Sequence, residues 1–122
     1  MPYINLVTNK KIDDKKKVHD RLGECITLIP GKTLGRTMIN IEDEKMLTFA
    51  GTDEPCAYIE TMVNTGTDHS NNAAYGDAVI EMVAKELEIP NTHTSSLPKR
   101  ASDGLTPNTF SISSVIGTLV YS

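Results

Sequence analysis

The stretch Tyr3-Ile4-Asn5-Leu6-Val7-Thr8 is short and rich in apolar and β-branched residues, and Asn9-Lys10-Lys11 ends it. That pattern predicts a strand. Asp13 or Asp14 then caps a helix, in which Val18, Leu22, Cys25, Ile26 and Ile29 recur at helical spacing on one face. Lys15, Lys16, Lys17, Asp20, Arg21 and Glu24 take most of the remaining surface. Pro30-Gly31 stops the helix. Thr37 to Ile41 reads as a second strand, Glu42-Asp43-Glu44-Lys45 as a turn, and Met46 to Phe49 as another extended segment. Strand, helix and strand in that order make a β-α-β unit.

The second half repeats the plan. Pro55 opens a strand running through Tyr58-Ile59-Glu60-Thr61-Met62-Val63. The loop from Asn64 to Asn71 is polar, and Asn71 or Asn72 caps a second helix. Its expected apolar face is Ala74, Ala78, Val79, Met82, Val83 and Leu87, and Pro90 ends it. Two such units predict an α+β fold, a four-stranded sheet with two helices on one face. The opposite sheet face is left without a cover. A protomer built in this way should associate with others.

Composition narrows the function. The chain has 122 residues, one domain's worth, with 12 basic and 16 acidic side chains and a net charge of −4. A net acidic chain argues against a nucleic-acid partner, whose phosphates call for clustered Lys and Arg. Six aromatic residues and no Trp argue against base-stacking platforms. No apolar stretch approaches the roughly 20 residues of a membrane span, so no membrane partner is expected. The start, Met1-Pro2-Tyr3-Ile4-Asn5, has no basic region followed by an apolar run, so a signal peptide is not expected. Two cysteines, Cys25 and Cys56, are too few for a disulfide framework and read as buried, reduced thiols. These features together suggest a soluble cytoplasmic protein.

Several motifs fail on inspection. Gly31-Lys32-Thr33 lacks the upstream glycine of a phosphate loop, since Ile26 stands there, and it follows a helix rather than a strand. His19, His69 and His93 share no metal-ligand spacing with each other or with the cysteines, so no metal and no cofactor is expected. Pro2 is more informative. A small second residue permits removal of Met1, which exposes a prolyl secondary amine. An α-amino group ordinarily titrates near ~8, and burial beside a cation lowers that value, which suits a general base. A rigid first residue without chemistry is the plain alternative.

The stretch from Pro2 to Asn9 resembles the first strand of the macrophage migration inhibitory factor family, part of the tautomerase superfamily. Gly31-Lys32 is similar to that family's Gly-Lys segment. Met46-Leu47-Thr48-Phe49-Ala50-Gly51-Thr52-Asp53-Glu54-Pro55-Cys56-Ala57 resembles its hairpin and third strand, and is the most specific match. Ser70 to Pro90 resembles its second helix. The resemblance implies a homotrimer and a keto–enol tautomerase of the phenylpyruvate and dopachrome type, acting on a small aromatic keto acid. It makes Pro2 the catalytic base and Lys32 the carboxylate or carbonyl contact. Lys32 would otherwise read as a solvated lysine after a helix end, where a cation suits the dipole. The family's backbone N–H donor falls near Asn64, where Asn64-Thr65 replaces the usual apolar residue and glycine. The family also allows secretion without a leader.

Residues 1–90 carry the doubled core and residues 91–122 form a divergent C-terminal segment. That segment holds only three charged residues, Lys99, Arg100 and Asp103, and twelve Ser or Thr. Thr92 to Ser96 stands where the family has an aromatic-rich strand and looks a poor strand. Gly104 to Phe110 echoes the family's ending weakly. Val115 to Val120 is expected to pair with a sheet edge. Loss of the aromatic wall predicts weak activity, expressed as a raised KM. A non-enzymatic, cytokine-like interaction protein on the same trimer is the competing reading. A third is a tautomerase fold acting on another small keto acid or a halogenated acid. Dehalogenation-type chemistry calls for a further arginine, and Lys32 is followed nearby only by Arg36.

Overall fold

The computed structural model describes residues 2–64, 69–89, 93–100 and 109–117. The elements are β1 (Tyr3–Thr8), α1 (Lys15–Ile26), β2 (Met38–Glu42), β3 (Ala57–Asn64), α2 (His69–Glu86), β4 (His93–Arg100) and β5 (Thr109–Gly117). The sheet order is β2-β1-β3-β5-β4. β1 and β2 are parallel, and every other neighbouring pair is antiparallel. β3 and β4 therefore run parallel with β5 between them. Both β-α-β units are present, in an α+β arrangement of mixed sheet and two helices. The four strands of the two units are joined by a fifth, β5.

Alternation along the strands gives the sheet two faces. Ile4, Leu6 and Thr8 of β1 are buried, as are Ala57, Ile59, Thr61 and Val63 of β3. Ile4, Leu6, Ala57, Ile59 and Val63 form one apolar cluster with Val18, Leu22 and Ile26 of α1 and Tyr75, Val79 and Val83 of α2. Tyr3, Asn5 and Val7 of β1, and Tyr58, Glu60 and Met62 of β3, alternate with them and are only half-buried. The helices thus share one face. Across them, Lys17 Nζ meets Glu86 Oε2 at 3.1 Å.

Asp14 caps α1, its carboxylate accepting from the Lys17 N–H at 3.0 Å. The helix ends three residues earlier than Ile29. Thr27, Leu28 and Ile29 donate to carbonyls three residues back, the tighter spacing with which helices commonly finish. The residue before a proline is pushed out of helical geometry, so Ile29 cannot continue the helix into Pro30. Ile29 stays fully buried nonetheless.

The second helix departs further from expectation. α2 begins at His69, so Asn71 and Asn72 lie inside it and neither is its cap. Its buried residues are Asn72, Tyr75, Gly76, Val79, Ile80 and Val83, with Leu87 buried just past its end, while Ala74 is exposed and Ala78 and Met82 are half-buried. Turning the helix toward Tyr75 and Ile80 removes far more apolar area from water than burying two alanines. Tyr75 also brings its hydroxyl to Thr61 Oγ1 at 2.6 Å, which satisfies both buried groups. Burial pushes that phenol well above its ordinary value. The expected stop at Pro90 lies outside the described residues.

The C-terminal segment also corrects two expectations. Residues 93–100 form a strand despite their poor strand composition, because backbone pairing with β5 supplies what propensity does not. Pro98 is tolerated because β4 is an edge strand. Val115 and Ile116 lie in β5, which is interior to the sheet rather than at its edge, and Ser114 and Ile116 are buried. Residues 118–120 lie outside the described residues.

Met46 to Phe49 does not form a strand. Its only ladder pairing is Phe49 with Thr52, each donating its N–H to the other's carbonyl around a two-residue turn. Ala50 and Gly51 both have positive φ there, at 55° and 79°. The wider loop is held by one side chain. Asn9 Nδ2 donates to the carbonyls of Leu47 at 3.0 Å, Asp53 at 3.2 Å and Glu54 at 2.9 Å. Asn9 Oδ1 accepts from the Cys56 N–H at 3.0 Å. Asp43 holds the loop's other end, accepting from the Ile12 N–H at 2.9 Å and facing Lys15 Nζ at 3.1 Å.

Asn9→Ala should cost about 2 kcal/mol, because it strips partners from several backbone groups at once. Urea denaturation measures that loss. The Ile12 N–H, and then Lys15, hold the Asp43 carboxyl below its ordinary 3.8. Its stabilisation is complete above that ordinary value and is lost as pH falls through the lowered folded value. Asp43→Asn should therefore lower stability at neutral pH and flatten the acid limb below about pH 4 in a pH series of denaturation curves.

Candidate functional site

Pro2 immediately precedes β1 and is buried. The Met38 N–H donates to its carbonyl at 2.9 Å, which fixes the start of β1 against the start of β2. Tyr3 pairs with Met38 on one side and with Met62 on the other. The strand directions then decide what lies near. β2 is parallel to β1, so the α1–β2 connection arrives at Pro2. β3 is antiparallel to β1, so its final residue, Asn64, reaches the same end. Asn64 pairs with Thr109 of β5 there.

Lys32 lies in the arriving connection and is half-buried. Gly31, at φ 81°, makes a left-handed turn that only glycine enters freely. The Lys32 N–H then donates to Ile29 O at 3.1 Å. That bond occupies an N–H which a phosphate loop would leave for its ligand. A short 3-10 turn, Leu34–Arg36, follows. Thr33 O accepts from the Arg36 N–H at 3.1 Å and from Thr37 Oγ1 at 2.6 Å. Leu34 packs so closely on α1 that a Cβ at Gly23 would stand 2.8 Å from its Cδ1. The connection carrying Lys32 is thereby pinned to the helix.

The topology gathers Pro2, Lys32 and Asn64 at one end of the sheet. Five of the best-formed surface cavities among the described residues, of about 230 to about 530 Å³, are lined by neither Pro2 nor Lys32. One residue at this end was not singled out from the sequence. Met38 is 58% exposed beside the Pro2 carbonyl, an apolar side chain on the open face. Its alternation with Ile39 was the available signal.

The other candidates fall away from this end. Cys25 and Cys56 are both free and buried, and burial pushes both thiols up, away from the reactive thiolate. His19 Nδ1 sits 3.0 Å from Asp20 Oδ1. No group of metal-ligating side chains occurs among the described residues. No helix among them is long and apolar enough to cross a membrane.

The sequence model of the macrophage migration inhibitory factor (MIF) family matches residues 1–95. The chain belongs to the MIF family. Solved structures agree on the MIF fold. MIF2 from Leishmania major is 22% identical with a TM-score of 0.65, covering 74% of this chain and 79% of that one. Macrophage migration inhibitory factor from Trichinella spiralis is 18% identical with a TM-score of 0.54, covering 72% and 79%. The protein from Toxoplasma gondii is 17% identical with a TM-score of 0.53, covering 72% and 79%. A comparison with curated protein sequences gives no match. The MIF match ends inside β4, so β5 lies wholly beyond it.

Proposed function

We propose that this MIF-family chain is a keto–enol tautomerase acting on phenylpyruvate-type and dopachrome-type substrates. The observation that carries the reading is Pro2, buried at the head of β1 where the Lys32 connection and the end of β3 arrive. Removal of Met1 would leave a secondary amine there, and burial disfavours its charged form. In the keto-to-enol direction the neutral amine takes a proton from the carbon beside the carbonyl. The carbonyl oxygen gains the charge, and Lys32 with a backbone N–H near Asn64 stabilises it. Protonation of that oxygen completes the enol, and nothing else is consumed.

The same reading includes a homotrimer. Among the described residues, no layer covers the sheet face opposite the helices, and β2 has a neighbour on one side only. A second copy of the chain can cover both. A cytokine-like interaction protein remains the alternative, favoured by one observation. Five of the best-formed cavities among the described residues have neither Pro2 nor Lys32 in their lining. Under the tautomerase reading, a neighbouring subunit supplies the missing wall.

Two experiments test this reading. Intact mass should show Met1 absent, and Pro2→Ala, with Met1 also removed, should lower kcat/KM for phenylpyruvate by about tenfold or more, a primary amine retaining part of the role. Full activity in that variant would overturn the assignment of Pro2. Sedimentation equilibrium at micromolar concentration should give three protomer masses. One protomer mass would refute the packing argument, and two would refute the trimer.

A further inference from the structure

The connection between the helix and the second strand has an unusual charge. Residues 27–41 contain Lys32 and Arg36 and no acidic residue, in a chain whose net charge is −4. The nearest preceding acid, Glu24, already faces Arg21 at 3.4 Å. The next acid along the chain, Glu42, ends β2 and so lies at the strand's far end from Pro2. Both cations of the connection are therefore delivered to the end of the sheet that holds Pro2.

Arg36 is as closely tied to that end as Lys32. It stands two residues before Met38, whose N–H is bonded to the Pro2 carbonyl. Two residues of backbone span at most about 7.6 Å between Cα atoms, which an arginine side chain can cover. Its backbone is also fixed. The Arg36 N–H is bonded to Thr33 O, and the Thr37 N–H to Leu34 O at 3.0 Å, while Leu34 is wedged against Gly23. Arg36 is exposed, and no carboxylate faces it among the described residues. A guanidinium held on a rigid turn is suited to bidentate binding of a carboxylate. Lys32 and Arg36 are on the order of 10 Å apart along the chain, given one extended step and one short 3-10 turn between them. With side chains this long, that backbone spacing lets each cation take an anionic group of its own. It suits two anionic groups at opposite ends of one small molecule.

We propose that Arg36 binds a second anionic group, so that the preferred substrate is an α-keto acid carrying a further carboxylate at its distal end. This rests on the tautomerase reading for the reacting end of the substrate. The charge pattern that motivates it is independent of Pro2. Lys32 takes the keto-acid end, and Arg36 takes the far carboxylate. Arg36 thereby sets specificity and touches none of the reacting atoms.

The test compares phenylpyruvate with 4-carboxyphenylpyruvate, which differ only by the para carboxylate. The native enzyme should favour the diacid in kcat/KM by about tenfold, chiefly through KM, and the preference should shrink as salt is added. Arg36→Gln should abolish the preference, the loss falling about tenfold more heavily on the diacid than on phenylpyruvate. Equal use of both substrates, or a preference that survives Arg36→Gln, would overturn the proposal while leaving the tautomerase reading intact. If neither substrate turns over, the tautomerase reading fails, and calorimetric titration still decides this proposal. The unreactive probes are then 3-phenylpropanoate and 3-(4-carboxyphenyl)propanoate. Tighter binding of the diacid, lost in Arg36→Gln, supports Arg36 as the anion contact. Equal or undetectable binding of the two overturns it.

Discussion

The pairing of β1 with two neighbours of opposite direction is the constraint from which the rest follows. Its parallel ladder to β2 forces the chain to cross back over the sheet, and α1 is that crossover. Its antiparallel ladder to β3 brings the end of one strand to the start of another. Pro2, the α1–β2 connection and Asn64 meet because of those directions. A slip of one residue in either ladder would turn Ile4 and Leu6 out of the core. Burial of those two side chains therefore fixes where Pro2 sits.

Much of this was legible in the sequence, and the reasons differ by element. β1 shows through its apolar alternation, and α1 through a single face at helical spacing bounded by Asp14 and Pro30. Those signals are local. The rotation of α2 is not local, because it depends on Thr61 of another strand offering a partner to the Tyr75 hydroxyl. β4 has a poor local signal and exists through its ladder to β5. The interior place of β5 could not be read from Val115 and Ile116 alone, since an apolar β-branched run fits an edge or an interior position equally. The loop from residue 43 to 56 depends on Asn9, a polar residue at a strand end with no local sign of its several partners.

The candidate site follows the same division. Pro2 and Lys32 stand out by residue type and by resemblance to the MIF family. Their convergence is a property of strand direction and appears only with the fold. Arg36 carries the clearest lesson. In the sequence it was an isolated arginine after Lys32. In the structure it ends a turn locked by Thr33 and Leu34, two residues from the amide that holds Pro2. The physical content of the candidate site is a buried Pro2 at the end of the sheet where a connection bearing Lys32, Arg36 and no acidic residue arrives.

The central claim is that the N-terminal nitrogen of Pro2 is the base. The most direct measurement compares two forms of the same chain, one with Met1 removed and one with Met1 retained, in the ketonisation of phenylenolpyruvate. Retained Met1 converts the amine into an amide, which cannot accept a proton, and leaves Lys32 and Arg36 in place. The processed form should be faster by about a hundredfold or more. Equal rates from the two forms would contradict the claim.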